Sequence, residues 1–143
     1  MSQTFNDLKV YKIAYQLTGK IELLVRQLPK FESFRHVDQI LRSSRSIVAN
    51  IVEGFGRKQL KGDFIKFLTY AMASCDETQA HLNLINLSGL IKKEEYINLI
   101  KQYKNLSVRL LNFINSIKNQ DLKISPSEIY SKSIRSRQVG SRG

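Results

Sequence analysis

The sequence predicts an all-α fold, an antiparallel up-down-up-down four-helix bundle, and three observations carry that prediction. Four long segments repeat apolar residues every three or four positions, the period of a helix with one greasy face. The links between them are short, which favours antiparallel neighbours. Only two prolines and seven glycines interrupt 143 residues, too few for a turn-rich sandwich. A chain of this length fits one domain with one continuous core.

The first helix follows Asp7, a residue suited to capping, and carries Val10, Ala14, Leu17, Ile21, Leu24 and Leu28 before Pro29. The second runs from about Arg35 to Glu53. Its stripe is Val37, Ile40, Leu41, Ile47, Val48, Ile51 and Phe55, and Gly54-Phe55-Gly56 reads as its stop. The third starts near Gly62-Asp63, with Asp63 as cap, and ends at Gly89 in the C′ position. The fourth starts near Lys92–Glu94, its acids in a favourable first turn. Its stripe is Tyr96, Leu99, Ile100, Tyr103, Leu106, Leu110, Phe113, Ile114 and Ile117. Residues 1–120 are therefore expected to form the bundle, and 121–143, rich in Ser, Arg and Gly, a basic disordered tail.

Charge is the strongest clue to a partner. Twenty-three Lys and Arg against twelve Asp and Glu give a net +11, an excess that attracts polyanions. The tail holds five basic residues and two acids, a net +3, so +8 falls on residues 1–120. Arg35, Arg42 and Arg45 on the second helix, with Arg57, Lys58 and Lys61 after it, form a candidate phosphate-contacting surface. The competing reading is a solvated face, because Asp38 lies three residues after Arg35 and four before Arg42. Only Phe34 and Phe55 interleave with these cations, so backbone contacts fit better than base stacking.

The third helix carries two apolar rows. Phe64, Leu68, Ala71, Cys75, Thr78, Leu82 and Ile85 suit the core. Tyr70, Ala73, Glu77, Ala80, Leu84 and Leu87 repeat with the same spacing on roughly the opposite side. Either these are scattered exposed residues, normal singly, or they form a subunit interface. In an interface Ala73 and Ala80 would permit close approach, and Glu77 would need a polar partner.

Nothing in the sequence groups into a catalytic or metal-binding constellation. His36 and His81 lack neighbouring ligands at zinc spacing, and adjacent Glu94 and Glu95 diverge on a helix. Gly54-Phe55-Gly56-Arg57-Lys58 follows a helix rather than a strand and lacks phosphate-loop spacing. No enzyme activity and no cofactor are expected. No apolar run is long enough for a membrane span, and Met1–Asp7 lacks the features of a signal peptide. A lone cysteine, Cys75, suits a reducing compartment, so the expected location is the cytoplasm.

The stretch from Gln39 to Arg57, containing Arg42-Ser43-Ser44-Arg45-Ser46 and Ala49-Asn50-Ile51-Val52-Glu53-Gly54-Phe55-Gly56-Arg57, resembles the signature of the 23S rRNA intervening-sequence proteins. Asp7-Leu8-Lys9-Val10-Tyr11, Asp63-Phe64-Ile65-Lys66-Phe67-Leu68 and Leu87-Ser88-Gly89-Leu90-Ile91 resemble further parts of that family, over roughly residues 5–120. The resemblance implies a bundle that assembles as a homopentameric ring. It also implies kinship with the accessory protein of diversity-generating retroelements, a partner of a reverse transcriptase and of nucleic acid. The chain departs from the family at Val48, usually proline, and at Leu41, usually basic. Within the shared motif, Asn50 and Glu53 are expected to hydrogen-bond across helices and Gly54 to end the second one.

Overall fold

The computed structural model describes residues 3–120, the side chains of residues 30–35 excepted. After a short 3-10 turn, Phe5–Asp7, come four helices: α1 Lys9–Gln27, α2 Lys30–Gly56, α3 Lys61–Leu87 and α4 Lys93–Lys118. No strand occurs among the described residues. The basic tail expected over 121–143 lies outside them.

The apolar rows bury where their spacing places them. Leu17, Ile21 and Leu24 meet Ile40, Ile47 and Ile51, Leu68, Leu82 and Ile85, and Tyr103, Leu106 and Leu110, all at most 2% exposed. Each such aliphatic side chain contributes about 1.5–3 kcal/mol relative to exposure. Every residue of the predicted inner row of α3 is buried, and Ser74 joins them.

Helix ends differ from the reading of the sequence in four places, each for a local reason. Asp7 does not cap α1, because its Oδ2 accepts the Thr4 backbone N–H at 2.9 Å and Leu8 takes the N-cap position. α2 starts at Lys30 rather than Arg35. Pro29, at φ −61° and ψ 133°, turns the chain, and neither Gly nor Pro in 30–35 opposes a helix. α3 begins at Lys61 with Leu60 as N-cap, leaving Asp63 in the first turn. Gly54 does not end α2, which continues to Gly56.

Gly54 has a packing reason instead. A Cβ there would lie 3.1 Å from Cβ of Phe67 and 3.4 Å from the Phe64 carbonyl oxygen, so only glycine lets α2 and α3 come this close. Gly89 does behave as expected: its φ of +72° provides the left-handed residue just past α3.

Small hydroxyl residues line the same α2–α3 seam. Ser43 and Thr78 share a hydrogen bond at 2.9 Å, and Ser74 and Ser46 one at 3.0 Å. Asn50 Nδ2 donates to the Ser46 carbonyl at 2.9 Å and its hydroxyl at 3.1 Å. Asn50 therefore acts within α2 and reaches α3 only through Ser46. Elsewhere Phe64 meets Phe113 edge-on at 5.5 Å, the Tyr96 hydroxyl donates to Asn83 Oδ1 at 2.6 Å, and Lys20 Nζ donates to Gln102 at 2.9 Å.

Candidate nucleic-acid and self-association surfaces

Three arginines of the candidate phosphate surface have carboxylate partners. Arg42 lies 3.3 Å from Asp38 one turn earlier, with its side chain 78% exposed. Arg45 reaches to α1 and meets Glu22 at 2.9 Å. Arg57 bridges Glu53 at 2.9 Å and Asp63 of α3 at 3.3 Å. Those two bonds, Glu53 first, raise the Arg57 pKa above its ordinary value. Glu53 thus pairs within α2, and Arg57 rather than Glu53 makes the link across to α3.

These cations do not form one patch. Arg45 leans towards α1 and Arg57 towards α3, twelve positions further on, which is about 18 Å along the helix. Lys58 Nζ sits 4.0 Å over the Phe55 ring, and Lys61 Nζ donates to the Lys118 carbonyl at 3.2 Å. The side chain of Arg35 lies outside the described residues.

The α2–α3 corner gathers groups that the sequence reading missed. The Phe67 ring carries Arg57 at 5.1 Å and Lys66 at 5.5 Å, and meets Tyr70 edge-on at 5.7 Å. Cations and aromatics therefore do interleave here, on α3 rather than α2. The signal was present: Lys66 and Phe67 stand one turn ahead of Tyr70.

The outer row of α3 faces away from the core. Tyr70 is 47%, Leu84 45% and Leu87 82% exposed, and Ala73, Glu77 and Ala80 are exposed with them. Glu77 has a partner within the chain, His81 Nε2 at 3.4 Å, a long contact by hydrogen-bond standards.

Cys75 is fully buried. Desolvation first, and the nearby Asp76 charge second, push its thiol up to about 12. Burial likewise raises the Tyr103 hydroxyl. No described helix is long and apolar enough to cross a membrane.

The model of the 23S rRNA-intervening sequence protein family matches residues 6–112. A solved structure from Bacteroides thetaiotaomicron, a protein of unknown function from the S23 ribosomal protein family, superimposes with a TM-score of 0.68. It is 29% identical, and the match covers 73% of this chain and 97% of that one. No curated protein matches the chain.

Proposed function

This chain belongs to the 23S rRNA-intervening sequence protein family, and from that premise we propose that it is a cytoplasmic, non-enzymatic scaffold that binds RNA or DNA with little sequence preference. Its helices take the up-down-up-down order and several copies join through the outer row of α3, a five-fold ring being the favoured assembly. The observation that carries this reading is the +11 net charge, which draws a nucleic-acid backbone by displacing its counterions.

The ion pairs on Arg42, Arg45 and Arg57 do not oppose it. Their side chains are 78%, 61% and 49% exposed, and exposed pairs contribute only about 0–1 kcal/mol. A phosphate can therefore compete for the free edge of each guanidinium. Assembly would bring several copies of each arginine together.

Titrating labelled RNA and DNA at two salt concentrations tests the proposal. Steep weakening with salt and similar affinity across sequences are expected, and absence of binding even at low salt rejects it. A solution mass equal to one chain would reject the ring.

A second reading has its own support, because the basic residues are divided between two sides of α2 and balanced by acids. In it the chain is an adaptor that docks a protein partner such as a reverse transcriptase, its charge serving solubility. Capture of one protein after nuclease treatment, with no measurable nucleic-acid affinity, would favour it. A reverse-transcriptase gene next to this one would point the same way and support kinship with the retroelement accessory protein.

A further inference from the structure

Arg109 on α4 is an arginine to which the fold supplies no partner. Its Nε is buried without a hydrogen bond, and among the described residues no carboxylate pairs with it. A desolvated guanidinium N–H left in this state is costly. Arg109 lines a concave pocket of about 370 Å³ together with Gln3, Asp7, Lys9, Asn112 and Phe113. Asn112 and Phe113 follow at the spacing that shares its helix face.

The rest of the pocket adds hydrogen-bond donors independent of Arg109, and with it the lining carries two cations, Arg109 and Lys9, against one carboxylate, Asp7. Lys9 opens α1, whose N-cap Leu8 offers no side-chain acceptor, so the first-turn N–H groups of this 19-residue helix lack one. The one carboxylate in the lining, Asp7, is turned to the Thr4 amide at 2.9 Å. Leu8, Val10 and Phe113 give the pocket an apolar wall.

We propose that this pocket binds a phosphate monoester, the terminal phosphate of a nucleotide or of a nucleic-acid strand. Guanidinium, ammonium, side-chain amides and helix N–H groups come from separate segments, which suits a tetrahedral oxyanion better than a planar carboxylate. The volume exceeds that of a phosphate alone and leaves room for a sugar against Phe113. The site is distinct from the Arg42, Arg45 and Arg57 surface and stands or falls separately from it.

The full-length protein labelled with nitrogen-15 gives a direct test through the Arg109 Nε–H resonance. Inorganic phosphate and AMP should shift it saturably, whereas sodium chloride at matched ionic strength and adenosine should not. In calorimetry Arg109→Gln should weaken AMP binding by about tenfold or more, with partial rescue by Arg109→Lys. A short oligonucleotide with a 5′-phosphate, compared with its 5′-hydroxyl twin, separates the sources. Preference for the phosphorylated strand assigns the pocket to strand ends, and binding of AMP alone assigns it to a free nucleotide. A resonance unmoved by phosphate and AMP, or moved equally by chloride, overturns the proposal. Should Arg109→Gln fail to fold, the wild-type resonance and Lys9→Gln still decide.

Discussion

The two rows of α3 have the same spacing and similar apolar content, yet they occupy opposite environments. Leu68, Ala71, Cys75, Leu82 and Ile85 are fully enclosed, whereas Leu84 and Leu87 lie at 45% and 82% exposure. The difference is made by partners rather than by composition. The inner row packs against α2 and α4 of its own chain, and the outer row has no helix there. An apolar row shows that a surface prefers to be covered, and only the fold shows whether the chain itself does the covering.

The sharpest way to break this contrast is to truncate the inner row. Leu82→Ala should lower stability by about 2–5 kcal/mol, read from denaturant unfolding. A comparable loss, on the order of a few kcal/mol, should come from alkali. The Cys75 thiol is raised from 9.0 to about 12 in the fold. The folded state therefore holds its proton in that window while the unfolded chain releases it. Stability should be intact below pH 9 and decline as pH rises towards 12. Reaction of Cys75 with a thiol reagent near pH 8 should require denaturant; prompt reaction in the native state would contradict the burial.

At the edge of the inner row, Gly54→Ala places a Cβ 3.1 Å from Phe67 Cβ. That should cost about 1–3 kcal/mol in strain, offset by about 1 kcal/mol of gained helix propensity. A net gain in melting temperature would show that the helices part easily. Arg42→Gln removes only an exposed ion pair, so its stability change should be about 0–1 kcal/mol. If Arg42 contacts phosphate, the salt slope of nucleic-acid binding should still fall by about one.

The outer row should respond least in folding and most in assembly. Leu84→Arg combined with Leu87→Glu should shift monomer stability by no more than about 0.5 kcal/mol and leave helicity unchanged. If the row joins copies, light scattering should show the mass fall to that of one chain. A wild type already at that mass would leave the row simply exposed.

The sequence made the helices and the inner row of α3 legible because burial on a helix repeats at fixed spacing, and Gly89 because a left-handed residue favours glycine. Asp7 and Asp63 were misread as caps, since capping depends on which amide the carboxylate reaches. Gly54 was misread as a stop because close approach of two helices leaves no mark in one of them. Arg45 and Glu22, 23 positions apart, could not be paired from local spacing, nor could Arg57 be placed on Phe67. The Arg109 pocket was hidden for the same reason, since it joins the first residues of the described chain to the last helix.

The hydroxyl ladder between α2 and α3 has a mechanical consequence. Sliding one helix along the other by a turn would break the Ser43–Thr78 and Ser46–Ser74 bonds together, and would bring a different contact onto Gly54. Steps of that kind are costly in a dry seam, so the pair should move as one rigid strut about 40 Å long. The Arg57–Phe67 corner near one end of the strut and Leu87 at the other are then held at a set separation.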